Sequence, residues 1–289
     1  MEFKYLYEPI EKDLKLVENE LVSQIKTIIT TRNKTNDGYL YDVISHLFRI
    51  PGKRLRPSLV LLSAKSAGEI PATRNNTLVQ FAAAVELVHS ASLVHDDIID
   101  NSEYRRDSLS LNKKYGSKIA VLAGDILYSQ FFFLLTNLPL KDKEQKIKLF
   151  RIFCDITQNM CLGEILQQRI IKKEVKPTFS DYMEILTKKT ALLMSASCRC
   201  GALLNDAAED IVVSLADFGL HFGLAYQLVD DYVDMDSLID GTVDLVTEAE
   251  NEITHAKNCL VQLKKSPSKE KLLGLCDYVL SIAYQNRKI

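Results

Sequence analysis

The sequence predicts an all-α protein, and three observations predict it. Apolar residues recur every three or four positions along most of the chain, sustained alternation of period two is absent, and only 11 Gly and 7 Pro interrupt 289 residues. One helical bundle follows, read as a single domain over residues 1–289.

The first helix is marked by the stripe Ile10, Leu14, Val17, Leu21, Ile25 and Ile28, the spacing of one helical face. Breaks are expected at Thr31 to Gly38, Pro51 to Pro57, Gly68 to Asn76, Asn137 to Lys143, Lys172 to Ser180, and Ser266 to Ser268, where Gly, Pro and small polar residues gather. These lengths suit connections between packed helices. No repeat of fixed period and no low-complexity tract divides the chain.

A composition of 47% hydrophobic and 26% charged residues, with a formal charge of −2, excludes a nucleic-acid binder and a disordered chain. Any affinity for phosphate must therefore be local. Cys154, Cys161, Cys198, Cys200, Cys259 and Cys276 form no CxxC pair and read as small hydrophobes in a reducing compartment. The acids Glu2, Glu8, Glu11, Asp13, Glu18 and Glu20 argue against a signal or transit peptide. No apolar run reaching the ~20 residues of a membrane span is found, and a cytoplasmic location is expected.

The chemistry centres on two acidic triads. Asp96 and Asp100 lie four apart on one face of a helix, with Asp97 about a quarter-turn round; Asp230 and Asp234 repeat the arrangement, with Asp231 beside them and Gln227 one turn earlier. Acidic runs are usually solvated, but these are flanked by Leu93, Val94, Ile98 and Ile99, and by Phe222, Leu224, Ala225, Leu228 and Val229. Two carboxylates 4 Å apart repel by about 4 kcal/mol at an effective dielectric of 20, so acids gathered in a cleft need a cation or a raised pKa. Mg²⁺ suits them, since it takes one or two carboxylates together with phosphate oxygens. The expectation is two triads facing one cavity around a diphosphate.

Fixed cations are available in Gly52-Lys53-Arg54-Leu55-Arg56-Pro57, in Lys188-Lys189-Thr190, and in Arg105-Arg106, about two turns after the first triad. Arg grips phosphate oxygens through two parallel bonds and Lys acts as a point charge.

GKRLRP, HSASLVHDDIIDNSEYRR, GDILY, KKT and FGLAYQLVDDYVD stand in one order. In that order and spacing the chain resembles the trans-isoprenyl diphosphate synthases, most of all the medium- and long-chain polyprenyl members. The likeness runs from the first helix to about Asp236 and resumes weakly near Gly241.

The resemblance implies an antiparallel helical bundle of the isoprenoid-synthase type around a deep central cavity, paired as a homodimer or within a heteromer. It implies that Gly52, Lys53, Arg56, His89 and Arg106 bind isopentenyl diphosphate. Arg105, Lys189, Thr190 and Gln227 would contact the allylic diphosphate, bridged by Mg²⁺ to Asp96, Asp97, Asp100, Asp230, Asp231 and Asp234. The implied reaction is prenyl transfer: the allylic C–O bond ionises, fixed positive charge stabilises the departing diphosphate, the isopentenyl double bond attacks the cation, and the new cation loses a proton to the departed diphosphate. The first triad, Arg105 and Lys189 would carry that step, and the product would pass to membrane enzymes.

Product length is read from the helix before the first triad, which a growing chain descends by ~5.4 Å per turn. Val85, Val88, Ala91 and Ser92 make a slim wall, and Tyr128, Phe131, Phe132 or Phe133 a floor. In family terms, the absence of bulky aromatics at the wall predicts a product longer than farnesyl diphosphate.

The chain departs from the family in two places. Asp107-Ser108 stands where a small Gly usually follows the paired arginines, and no Lys or Arg occurs between Asp231 and Ala256. A family segment of a few dozen residues is missing near 237–241, either lost by the protein or omitted from the chain. That gap keeps a weakly active or regulatory subunit of a heteromeric synthase as the alternative. A metal phosphohydrolase built on His95-Asp96 and His46 would leave the second triad unexplained, and a terpene cyclase would not need Lys53 and Arg56.

Overall fold

A computed structural model describes residues 3–32, 38–49, 52–235, 237–239 and 243–287. The all-α expectation is met. In chain order the described residues form a 3₁₀ turn (Phe3–Ile10), α1 (Glu11–Arg32), α2 (Tyr39–Phe48), α3 (Leu55–Ala67), α4 (Ala72–Ile99), β1 (Tyr104–Arg105), β2 (Ser108–Leu109), α5 (Leu111–Tyr115) and α6 (Ser117–Asn137). Then come α7 (Lys143–Ile171), α8 (Phe179–Leu186), a π-helical turn (Thr187–Ala191), α9 (Leu192–Leu204), α10 (Glu209–Asp234), α11 (Leu245–Cys259) and α12 (Pro267–Asn286).

Helix starts follow local chemistry. Thr178 and Asp181 form a reciprocal capping box before α8, the Asp244 side chain accepts from the backbone N–H groups of Val246 and Thr247 at the start of α11, and Ser266 caps α12 with Pro267 in its first turn. α3 and α4 begin inside the expected breaks Pro51–Pro57 and Gly68–Asn76, because Pro57 and Ala72 lie in first turns, where a missing or unpaired N–H costs little. Asp236, Asp240 and Gly241, where the missing segment falls, lie outside the described residues.

The chain divides into two compact units. One comprises Lys12–Ser58 and Asn75–Lys146. Its core joins Ile25 of α1, Val43 and Ile44 of α2, Val94 of α4, Leu111 of α5, and Ala120 and Ala123 of α6. In α4 every residue from Phe81 to Val88 is buried, so this helix is enclosed on all faces, each large apolar side chain contributing roughly 1.5–3 kcal/mol.

The same unit holds the one sheet found among the described residues, the antiparallel ribbon β1–β2. Arg106 and Asp107 form its two-residue turn with φ of 50° and 60°, the pattern of a type I′ hairpin. This corrects the expectation that the arginines follow the first triad along a helix. Asn101 turns left-handed at φ 52°, α4 stops, and the ribbon carries the arginines.

The other unit comprises Met1–Glu11, Leu59–Arg74 and Ile147–Ile289. Here α10 packs against α8, the π-turn, α9, α11 and α12. Gly219 and Gly223 permit that approach: a Cβ on Gly219 would stand 2.7 Å from Met194 O, and one on Gly223 2.7 Å from Ala191 Cα.

The membrane expectation needs one correction. Ala72–Ile99, Ser117–Asn137 and Glu209–Asp234 are long and apolar enough to span a bilayer by length and composition, although 72%, 44% and 56% of their apolar windows are buried inside the protein. Enclosed core helices meet the same hydropathy criterion as spanning ones.

Candidate active site

In the unit that carries the first triad, the GKRLRP segment turns sharply into α3. Arg54 is left-handed at φ 52°, and its carbonyl accepts from Ser58 N at 3.0 Å and from Ser58 Oγ at 2.8 Å. Its guanidinium donates to Glu18 of α1 and Glu86 of α4. Two residues on, Arg56 Nη1 donates to His89 Nε2 at 3.0 Å. Loss of solvation, then the positive charges of Arg56, Arg106, Arg105 and Arg54, hold His89 well below the usual histidine range, so it stays neutral and able to accept. Arg106 lies over the backbone at Gly52, where an added Cβ would stand 2.7 Å from its Cζ. Lys53 is exposed beside them.

The three acids of the first triad differ in setting. Asp97 is buried and held by Arg105, whose Nε donates to Oδ1 at 3.0 Å and to Oδ2 at 3.3 Å. Asn112 Nδ2 donates to Asp97 O and Ser102 O, both at 3.1 Å, fastening α5 to the end of α4 and the turn after it. Asp96 is partly buried and Asp100 exposed; Asp100 N donates to Asp96 O at 2.8 Å, so the last turn remains helical and both stay on one face.

The second unit carries the second triad. Tyr182 is buried, and its hydroxyl donates to Asp231 Oδ2 at 2.6 Å. Gln227 Nε2 donates to Asp231 Oδ1 at 2.8 Å, and Thr190 Oγ1 donates to Gln227 Oε1 at 3.0 Å. Asp230 and Asp234 are exposed on the last turns of α10. Lys189 belongs to the π-turn, a form common at functional sites. It donates to Gln167 Oε1 at 2.8 Å and forms an ion pair with Glu164, both on α7.

Among the described residues no group of three His, Cys, Asp or Glu is placed to hold a metal by itself. An oxygen-only carboxylate pair such as Asp96 and Asp100 nevertheless fits Mg²⁺, which takes its remaining ligands from phosphate and water. His95 is occupied with packing: its Nε2 lies 3.3 Å from Val121 O, and its ring stacks on Tyr128 at 5.9 Å. His46 Nε2 donates to Leu109 O at 2.8 Å, leaving Nδ1 to accept from Lys114 Nζ at 3.2 Å. Neither gives support to a phosphohydrolase centre.

Val88, Ala91 and Ser92 are buried on α4, Tyr128 and Phe132 are partly buried on α6, Phe131 is fully buried against Phe132, and Phe133 is exposed. Sequence reasoning missed Glu18, Glu86, Glu164, Gln167 and Tyr182. Glu86 carried a signal: a lone acid within the apolar run from Phe81 to Val88 requires a buried partner.

A family model described as polyprenyl synthetase matches residues 37–256. The chain belongs to the polyprenyl synthetase family. A prenyl transferase of Porphyra purpurea is 37% identical over 230 residues, which are 80% of this chain and 66% of that protein. The chain thus spans about two thirds of that relative's length. A geranylgeranyl diphosphate synthase of Sulfolobus acidocaldarius is 33% identical over 299 residues, covering 92% of this chain and 86% of its own. Among solved structures, a polyprenyl synthase from Caulobacter crescentus CB15 complexed with calcium and isoprenyl diphosphate shares the fold with a TM-score of 0.81 at 22% identity, over 97% of this chain and 98% of that one.

Proposed function

We propose that this polyprenyl synthetase family member is a prenyltransferase that condenses isopentenyl diphosphate with an allylic diphosphate. The observation that carries the reading is the setting of His89: a neutral imidazole bonded at 3.0 Å to Arg56, with Arg106 near it over the backbone of Gly52. Such a concentration of positive charge on a fixed frame selects an anion with several oxygens, as a diphosphate is.

Arg56, Arg106 and Lys53 would bind the isopentenyl diphosphate, His89 orienting the Arg56 guanidinium and Gly52 leaving room for Arg106. Arg105, set by Asp97, would face the allylic diphosphate, and Lys189, Thr190 and Gln227 take the allylic role that the family likeness gives them. Mg²⁺, when bound by Asp96 and Asp100 and by Asp230 and Asp234, would supply Lewis-acid stabilisation of the leaving diphosphate. The fixed cations of the protein stabilise the same developing charge without reorganising. Asp97 and Asp231, engaged by Arg105 and by Tyr182 and Gln227, hold those neighbours in place.

The slim buried wall of Val88, Ala91 and Ser92 supports a product longer than C15. Within the same reading the chain acts in the cytoplasm as a homodimer or heteromer and passes its product to membrane enzymes. The synthase and transferase names of the relatives favour a catalytic role over a regulatory subunit. The test is turnover with farnesyl diphosphate, isopentenyl diphosphate and Mg²⁺, comparing the wild type with Arg56→Met. Turnover by the wild type, with the variant's KM for isopentenyl diphosphate raised, supports the reading; inert wild-type protein that retains its fold contradicts it.

A further inference from the structure

We propose that Arg54 is a positioning residue for the isopentenyl diphosphate site, fixing the corner from which Lys53 and Arg56 are presented. The inference rests on the proposed synthase reading and adds to it the part of the motif that binds no substrate.

Arg54 is half of a division of labour along α4. Glu86 and His89 lie three residues apart on one face of that helix, and each receives one arginine of GKRLRP. Arg54 Nη1 donates to Glu86 Oε1 at 2.6 Å, while Nε and Nη2 donate to Glu18 Oε1 and Oε2 at 2.5 and 3.1 Å. The Arg54 side chain is 9% exposed and that of Glu86 3%. A guanidinium compensated by two carboxylates is a poor receptor for an anion, whereas Arg56 rests on a neutral imidazole that contributes no negative charge.

The backbone gives this pairing a purpose. An arginine at φ +52° occupies a conformation disfavoured for residues with a Cβ, and it persists only where its surroundings hold it. Here the holders are Glu18, Glu86 and the two Ser58 bonds to the Arg54 carbonyl. Released from its carboxylates, the corner can relax, shifting Lys53 on one side and Arg56 on the other. Displacing a binding group by about 1 Å can cost as much as 100-fold.

The test uses Glu18→Gln and Arg54→Lys in the full chain. Glu18 is 43% exposed, so its substitution is the milder one and leaves a folded protein to assay. The expected result is a rise of roughly ten-fold or more in KM for isopentenyl diphosphate, with kcat and the KM for the allylic diphosphate within about two-fold of wild type. Arg54→Lys should act in the same sense, because an ammonium lacks the fork that spans two carboxylates. Unchanged KM values beside a lowered Tm, or equal changes for both substrates, would reduce Arg54 to a stabilising contact and overturn the proposal. Should the wild type not turn over prenyl substrates, the synthase reading fails by itself. Binding of inorganic diphosphate by calorimetry then decides: roughly ten-fold weakening in Glu18→Gln keeps the positioning role, and equal affinity removes it.

Discussion

Asp97 and Arg105, eight residues apart, are bound through two guanidinium nitrogens, Nε at 3.0 Å from Oδ1 and Nη2 on the same oxygen. The contact joins the end of α4 to the β1–β2 ribbon and fixes the middle acid of the first triad. Removing one partner of a buried pair leaves the other uncompensated, but Arg105 is 40% exposed and solvent offsets part of that loss. We expect Asp97→Asn to cost about 1–2 kcal/mol, read from denaturant unfolding, and to lower kcat at least ten-fold. Wild-type kcat in a variant of lowered stability would show that the pair acts on folding alone.

Gly52→Ala should show the reverse balance. The new Cβ would displace only the end of the long Arg106 side chain, so stability should change by less than about 1 kcal/mol. The KM for isopentenyl diphosphate should rise, and steady-state kinetics with each substrate varied in turn would detect it. Equal KM values would separate Arg106 from that diphosphate.

Tyr182→Phe removes a hydroxyl that donates to a carboxylate from within the core. Hydrogen bonds to charged groups contribute roughly 1.5–3 kcal/mol, and a loss in that range is expected from thermal unfolding. The concentration of Mg²⁺ giving half-maximal turnover should rise as Asp231 loses an anchor, while an unchanged value would confine Tyr182 to stability.

Two histidines should give opposite slopes of stability with pH. His89 is depressed by lost solvation and by neighbouring arginines, so its contribution is complete above the unfolded value of about 6.5 and is lost as pH falls through the lowered folded value. His221 is raised, chiefly by its hydrogen bond to Glu252 at 2.6 Å, so its contribution is complete below about 6.5 and lost as pH rises through the raised folded value. Tm measured from pH 5 to pH 9 should lose its acid-side fall in His89→Gln and part of its alkaline-side fall in His221→Gln.

The parts of the fold legible in the sequence are those set by helical periodicity. Val17, Leu21, Ile25 and Ile28 are buried along α1, Leu14 partly so, while Ile10 belongs to the preceding 3₁₀ turn; Asp96 and Asp100 share a face because four residues make about one turn. The ribbon was not legible, since Arg106 and Asp107 occupy left-handed positions where a type I′ turn usually shows Asn or Gly. The partners of the middle acids were only partly so. Arg105 lay near Asp97 in sequence, but Tyr182 reaches Asp231 across 49 residues, and no local pattern encodes such a pairing. Arg54 was visible within its motif, yet its role depends on Glu18 and Glu86, brought to it by two other helices.

The most direct test of the central claim is to incubate the purified chain with farnesyl diphosphate and radiolabelled isopentenyl diphosphate, with and without Mg²⁺, and to size the extracted products. The expected result is label in prenyl diphosphates longer than C15, abolished by chelation and restored by added Mg²⁺. Folded protein that leaves the label in isopentenyl diphosphate at every Mg²⁺ concentration would contradict the prenyltransferase assignment.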